Sequence, residues 1–155
     1  MILFRSYDVR FIKIVLTGFA FCLASATAMA EQSQTFGDYV VHYNAFTTEI
    51  ITPAVAKQYG IKRSKNRAMY NITVLKKVMG TTGKPTEAKV TGHAFNLNRQ
   101  MKTLNPRKVT EGTAIYYIGD LAVTDKETLE FSFQITPADK TSPFEISFRQ
   151  QFFTN

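Results

Sequence analysis

The sequence predicts an all-β protein, a single immunoglobulin-like antiparallel β-sandwich of about seven strands with one short helix. The clearest indication is the C-terminal hairpin from Glu127 to Phe153, in which apolar and polar side chains alternate. Because strand side chains alternate with a period of two, each of its strands has one face suited to burial. A small β-barrel is the alternative, since the same strand pattern serves both. The apolar faces comprise Leu129, Phe131, Phe133 and Ile135 in one strand and Phe144, Ile146, Phe148 and Phe152 in the other.

Four further strands are predicted before this hairpin by the same alternation. They cover residues 36–46, 66–78, 88–98 and 113–123, and residues 100–110 add either two short edge strands or a strand and a loop. The strand at 66–78 is apolar on both faces, since Met69 and Leu75 add to the second face, so we expect it to be nearly buried on both sides. In the strand at 88–98 the apolar phase changes near Gly92, which predicts a β-bulge.

One helix is predicted, from Pro53 to Tyr59. Thr52 suits the N-cap, Pro53 the first helical position and Gly60 the C-terminal stop. A helix of under two turns is not stable by itself, so packing through Val55 and Tyr59 must hold it in place.

The first 30 residues have the parts of a secretory signal peptide: a basic region, an apolar region over 14–24 and the cleavage site Ala28-Met29-Ala30. The apolar region is shorter than the ~20 residues of a membrane span. We therefore expect cleavage after Ala30, a single domain over 31–155, a periplasmic location and no membrane span afterwards. A retained N-terminal anchor is the alternative. Cys22, the one cysteine, leaves with the signal, so disulfides and cysteine chemistry are excluded from the mature domain.

The charges of the mature chain are unevenly distributed. Between Glu49 and Glu111 there are thirteen Lys and Arg residues and a single acid, Glu87, whereas the remainder carries three basic residues against ten acids. The densest cluster is the binding-site prediction: Lys62, Arg63, Lys65 and Arg67. Such a patch can bind an anionic envelope component, unless the strands interleave and mix the charges. Export argues against nucleic acid as a partner.

Catalytic and metal sites have weak support in the sequence. His42 and His93 are the only histidines, and no nucleophile motif accompanies them, so we predict a non-enzymatic protein with no cofactor. A hydrolase with an unrecognised site would need one of them exposed in a concave pocket. Because His93 shares a phase with Phe95, we expect it in the core. The metal alternative is copper held by His42, His93, Met69 and Met101, which lack tight ligand spacing.

The chain also resembles an uncharacterised family of Gram-negative periplasmic proteins, a domain of unknown function. The resemblance rests on residues 36–46 (FGDYVVHYNAF), 63–67 (RSKNR) and 71–77 (NITVLKK), with Thr52-Pro53 and Tyr59-Gly-Ile61 between them. It implies a periplasmic location and a compact β-fold, and no activity or site residues. The function predicted is a binding or interaction protein for an envelope protein or an anionic envelope component.

Overall fold

The computed structural model describes residues 32–155, so the signal peptide prediction lies outside the described residues. Within them, no helix has the length and apolar character needed to cross a membrane. A 3-10 turn, Thr48–Ile50, and one α-helix, α1 (Pro53–Gln58), lie between the second and third strands. The strands are β1 (Gln32–Phe36), β2 (Tyr39–Thr47), β3 (Arg67–Lys76), β4 (Lys84–Pro85), β5 (Ala88–Asn96), β6 (Met101–Leu104), β7 (Arg107–Glu111), β8 (Ala114–Ala122), β9 (Thr128–Pro137) and β10 (Phe144–Gln151).

The strands pair into two separate antiparallel sheets. Sheet A has the order β1-β2-β3-β8-β7, with the two-residue β4 beside the end of β3, and sheet B has the order β10-β9-β5-β6. The predicted all-β sandwich is confirmed, and the described strands do not form the small barrel considered as the alternative. The described residues form ten strands and not seven, because β1 and β4 are additional and residues 100–110 form two strands, β6 and β7.

Aromatic and aliphatic side chains fill the space between the sheets. The apolar face predicted for β9 is fully buried, and Phe131 stacks on Phe148 of β10 with ring centroids 4.9 Å apart. From sheet A, Tyr70 packs on Phe133 with ring centroids 5.3 Å apart. Burial of large aromatic surfaces from both sheets is the dominant favourable term for a sandwich without disulfides.

The predicted bulge at Gly92 is wrong. Strand β5 pairs with β9 in one continuous register from Ala88 opposite Pro137 to Asn96 opposite Leu129. The apolar phase changes because Phe95 lies on the outer face of sheet B, where its ring packs edge-on against His93 at 5.0 Å. Gly92 is needed for close approach, since a Cβ there would lie 2.5 Å from a ring carbon of Phe133.

The predicted helix is confirmed as a short connector. The hydroxyl of Thr52 accepts a hydrogen bond from the Val55 N–H at 3.4 Å, Pro53 begins the helix, and Gly60 follows with a φ of +62°. The buried anchor of α1 is Ala56, whereas Val55 is 39% exposed. The helix lies against the outer face of sheet A, where it positions the candidate site.

Candidate functional site

The outer face of sheet A carries a second hydrophobic cluster, separate from the core between the sheets. It is formed where the helical segment crosses β3 and β8, and its buried members are Ile51, Ala56, Ile61, Met69 and Ile118. Beside α1 this cluster lines an open cavity of about 310 Å³, which we call the α1 cleft. Its apolar lining includes Phe46, Ile51, Ile61, Met69, Val109 and Ile118. A mostly apolar concavity of this size is typical of a small-ligand site.

Two amides and one carboxylate line the α1 cleft, Asn44, Asn71 and Glu111, together with the tyrosines Tyr59 and Tyr116. Within residues 32–155, the Asn71 side-chain oxygen is buried and accepts no hydrogen bond. An unsatisfied buried acceptor is costly, and a donor N–H or O–H that reached this oxygen would remove that cost. Burial raises the pKa of the Tyr59 hydroxyl, and its hydrogen bond with the Glu111 carboxylate raises it further. Tyr59 is therefore neutral at physiological pH.

The segment beside the cleft is tied to the 3-10 turn by Thr48, whose side chain is fully buried. Its hydroxyl lies 2.9 Å from the Lys62 carbonyl oxygen and 3.1 Å from that of Ser64, and it accepts a hydrogen bond from the Ser64 N–H at 2.9 Å. Arg63 donates to the carbonyl oxygen of Glu49 at 3.0 Å. These contacts hold residues 62–65 in one conformation next to the cleft.

The predicted basic cluster divides into two parts. Lys62, Arg63 and Lys65 are exposed on the loop that follows Ile61, a residue of the cleft lining. We call these three residues the basic loop. Arg67 lies in β3 and is half-buried, where its guanidinium forms an ion pair with Asp120, with Nε 2.8 Å from the carboxylate. The structure thus places three of the four residues together and assigns the fourth a pairing partner.

The strands of the basic segment do interleave with the rest of the chain. Strand β8 lies between β3 and β7, and β9 lies beside β5. Ion pairs accordingly join basic residues of the segment to acids outside it: Arg67–Asp120, Lys76–Asp139 and Lys102–Glu127. Lys108 forms an ion pair with Glu87, the single acid between Glu49 and Glu111. These ion pairs therefore neutralise part of the charge asymmetry. The basic loop is among the positive charges that stay exposed.

The residues considered for copper do not come together. His42 and Met69 lie on the outer face of sheet A, with Met69 buried beneath the helical segment. His93 and Met101 lie on sheet B, where Met101 is 62% exposed on β6. Within residues 32–155, no group of three His, Cys, Asp or Glu residues is arranged to hold a metal ion. One ion cannot contact all four predicted ligands.

His93 is not the core residue expected from its phase. It is half-buried on the outer face of sheet B and lines an open cavity with Ser132 and Ser147, which lie opposite each other on β9 and β10. The core positions of β5 are Val90 and Ala94 instead. His93 thus lines a concavity, as the hydrolase alternative requires, but half-buried and not exposed. A serine nucleophile also needs its base within hydrogen-bond reach, and among residues 32–155 neither Ser132 nor Ser147 forms a hydrogen bond with His93.

Sequence reasoning missed the α1 cleft, although one signal pointed to it. The apolar residues on the second face of β3 indicated that something covers that face, and Met69 is indeed covered. The helical segment and β3 supply part of the lining. The remaining lining residues come from β2, β7 and β8, which are distant in sequence and meet only through the strand order. No local pattern joins them.

The sequence of residues 33–155 matches the family model of a domain of unknown function, DUF4426. The chain belongs to the DUF4426 family. A crystal structure of a DUF4426 family protein from Pseudomonas aeruginosa is 34% identical and has a TM-score of 0.70, with 81% of this chain and 96% of that chain covered. The predicted membership of an uncharacterised family is thereby confirmed. Comparison with curated protein sequences gives no significant match.

More distant similarity joins this DUF4426 domain to FetP of uropathogenic Escherichia coli, a protein expressed recombinantly in the periplasm of E. coli. FetP is 11% identical with a TM-score of 0.53, and the alignment covers 80% of this chain and 94% of FetP. A copper-bound variant of FetP gives a TM-score of 0.52 at 11% identity, over 81% of this chain and 97% of that one. At this identity the likeness concerns the fold alone.

Proposed function

We propose that this DUF4426 protein is a non-enzymatic binding protein of the periplasm that takes an anionic amphiphile, with the apolar chain in the α1 cleft and the anionic head on the basic loop. The observation that carries the proposal is the apolar cavity of about 310 Å³ on the outer face of sheet A. The outer face of a sandwich sheet is normally polar, because only the inner face contributes to the core.

The size and lining of the cleft favour an alkyl or acyl chain. Pockets that hold small ligands begin at about 300 Å³ and are lined mostly by apolar side chains. Burial of apolar ligand surface contributes roughly 25 cal/mol per Å². The unpaired Asn71 oxygen in the wall of the cleft favours a ligand with one donor group close to the chain, for instance an amide N–H or a hydroxyl.

The basic loop supplies the charge for the head group. Ile61 lines the cleft and Lys62 follows it directly, so a ligand that leaves the cleft on this side meets the exposed Lys62, Arg63 and Lys65 side chains. Arginine can bind a phosphate or carboxylate through two parallel hydrogen bonds. The amphiphile is thus the anionic envelope component that the charge pattern predicts.

The location is proposed from two observations. The N-terminal sequence has the features of a secretory signal, and FetP, which shares the fold, was expressed recombinantly in the periplasm of E. coli. Copper binding is the alternative suggested by the copper-bound FetP variant. In this chain the candidate ligands are divided between the outer faces of the two sheets, so we favour the amphiphile.

The test is a calorimetric titration of the native protein with dodecyl phosphate and with zwitterionic dodecylphosphocholine, both below the concentration at which micelles form. We expect saturable 1:1 binding, tighter for dodecyl phosphate. The variant Val109→Phe, which fills the cleft from its rim, should weaken both probes at least tenfold. Lys62→Glu with Lys65→Glu should weaken only the anionic probe, by roughly fivefold or more, the scale of exposed charge pairs.

The matched control is Lys84→Glu with Lys89→Glu, the same charge change at two exposed lysines on β4 and β5. It should leave both affinities within twofold of the native values. Binding that is unaffected by Val109→Phe would place the chain elsewhere and disprove the proposal, as would the absence of saturable binding. An equal loss in the lysine variant and its control would show that only net charge matters.

A further inference from the structure

We propose that the outer face of sheet B is a second binding site, for an acidic saccharide: a sugar that carries a carboxylate or a phosphate. This face holds an open cavity of about 530 Å³ beside the turn between β5 and β6. The residues that matter for the proposal are His93, Phe95, Arg99, Glu130, Ser132 and Arg149. They lie on the opposite side of the sandwich from the α1 cleft, so the two sites are independent.

The strand register places these side chains in two adjacent rows. In one row His93, Ser132 and Ser147 lie side by side on β5, β9 and β10, and in the next row Phe95, Glu130 and Arg149 do the same. The residues between them in sequence, such as Phe131 and Ala94, point into the core. Neighbouring side chains on one sheet face are about 5 Å apart, so a single ring-sized ligand can contact several of them.

The charged groups favour an anionic ligand. Arg99 and Arg149 line the cavity, and Glu130 is the one acid there. The ion pair between Arg149 and Glu130 is long, at 3.5 Å, and the two side chains are 64% and 60% exposed. An exposed pair of this kind contributes little free energy, so Arg149 can exchange it for a ligand carboxylate or phosphate bound through two hydrogen bonds. Glu130 is then available to accept hydrogen bonds from sugar hydroxyls.

The position of Arg99 is fixed by its turn. Its φ is +62°, in the left-handed region that non-glycine residues seldom occupy. The Asn96 side-chain oxygen accepts hydrogen bonds from the N–H groups of Asn98 and Gln100 at 3.0 and 2.9 Å, and its amide donates to the Gln100 side chain at 2.7 Å. These bonds stabilise the turn and place the Arg99 backbone at the cavity edge, from which the exposed side chain extends. A backbone held in a sparsely populated conformation is frequent at ligand sites.

The aromatic residues distinguish a sugar from a simple anion. The rings of Phe95 and His93 pack edge-on at 5.0 Å, and Phe95 is half-buried with one part open to the cavity. The C–H face of a sugar ring is apolar and packs on such a surface, while its hydroxyls both donate and accept hydrogen bonds and therefore match Ser132, His93 and Glu130. A bare phosphate ion would use only the arginines.

The test is an NMR titration of the isotope-labelled protein with glucuronic acid, glucose 1-phosphate, glucose and inorganic phosphate. We expect both acidic sugars to shift backbone amide signals of β5, β9 and β10 in a saturable manner, at least tenfold more tightly than glucose or inorganic phosphate. The variant Arg149→Gln should weaken the acidic sugars at least tenfold. Lys84→Gln, which removes one exposed positive charge from β4 of sheet A, is the control and should change nothing.

A second variant tests the contribution of the aromatic ring. Phe95→Leu keeps an apolar side chain at this half-buried position and should weaken both acidic sugars severalfold without affecting the weak binding of inorganic phosphate. Inorganic phosphate that binds as tightly as glucose 1-phosphate would reduce the site to an anion site and overturn the proposal. Unchanged affinity in Arg149→Gln, or signal shifts confined to sheet A, would overturn it as well.

Discussion

Thr48 shows how much one side chain contributes to the candidate site. It is a buried polar residue whose hydroxyl contacts backbone groups of Lys62 and Ser64, fourteen and sixteen residues further along the chain. A hydrogen bond of this kind contributes about 1 kcal/mol, and loss of one partner leaves the other unsatisfied. Thr48 therefore couples the conformation of the basic loop to the end of β2.

We predict that Thr48→Val lowers the free energy of unfolding by about 1–3 kcal/mol, because the Ser64 N–H loses its buried acceptor while the packing volume is nearly unchanged. Urea unfolding measures this change. Thr110→Val, at an exposed position of β7, is the control and should stay within about 0.5 kcal/mol of the native value. A Thr48→Val protein as stable as the control would mean that water replaces the hydroxyl.

The roles of single residues can be predicted from the sequence where their partners are local, and not where their partners are distant in the chain. The helix was predictable because Thr52, Pro53 and Gly60 act on backbone groups within a few residues of themselves. The role of Thr48 was not predictable, because its hydrogen-bond partners are backbone carbonyl and N–H groups, which carry no residue-specific signal. Arg67 looked equivalent to its basic neighbours, and only the register of β3 with β8, which places Met69 opposite Asp120, shows why it is paired.

At the scale of elements, strands with a buried face were predictable, whereas the exposed edge strand β1 was not. The alternation in β9 and β10 arises from burial, and it placed the hairpin correctly. Strand β1 has four exposed residues followed by Phe36, and so it has no alternation to detect. It exists because its backbone pairs with β2 from Gln32 opposite Tyr43 to Phe36 opposite Tyr39. Backbone pairing of an exposed edge leaves little trace in the side chains.

Gly92 makes a sharp prediction for strand β5. Because a Cβ at this position would lie 2.5 Å from the Phe133 ring and 2.7 Å from the Ser132 carbonyl oxygen, Gly92→Ala must displace β9 or the ring. We expect a loss of about 1–3 kcal/mol in the free energy of unfolding, the usual cost of overpacking. Urea unfolding again provides the measurement, with Thr91→Val at the exposed neighbouring position as the control. Equal stability of the two variants would contradict the close approach.

At the scale of the whole molecule, the α1 cleft depends on which strands become neighbours. Its lining combines residues from Asn44 to Ile118, which a sandwich with another strand order would separate. The sequence therefore predicted two sheets, a short helix and an exposed basic loop, but the cavity is a property of the topology. The same holds for the rows of sheet B, which require β5 and β9 to pair across a long connection.

The two sheets are also joined by a charged cluster at one end of the sandwich. Asp139, in the loop between β9 and β10 of sheet B, accepts hydrogen bonds from the hydroxyl of Tyr39 on β2 and from Lys76 on β3, the latter at 2.7 Å. The Lys76 ammonium lies 5.5 Å from the centroid of the Tyr39 ring. The hydrogen bond from Lys76 and then that from Tyr39 lower the pKa of Asp139 to about 2, from an ordinary value of 3.8.

This cluster predicts how stability depends on pH. The folded pKa of Asp139 is below its unfolded value, so its stabilising effect is present above about pH 4 and is lost as the pH falls towards 2. For Tyr39 and Lys76, hydrogen bonds with Asp139 raise the pKa above the ordinary values of 10.0 and 10.5. Their contribution is therefore present at neutral pH and is lost only as the pH rises through the raised values.

Asp139→Asn should therefore destabilise the protein at pH 7, and the difference from the native protein should shrink between pH 4 and pH 2 as native Asp139 takes up its proton. The midpoint of urea unfolding, measured for both proteins at pH 7, 4, 3 and 2, gives this difference directly. Asp38→Asn, which removes an exposed carboxylate between β1 and β2, controls for the change in net charge. A difference between Asp139→Asn and the native protein that stays constant down to pH 2 would show that shape and not charge holds the loop. Convergence would show that the Asp139 carboxylate joins the two sheets electrostatically, at the end of a sandwich that has no disulfide in its described residues to do so.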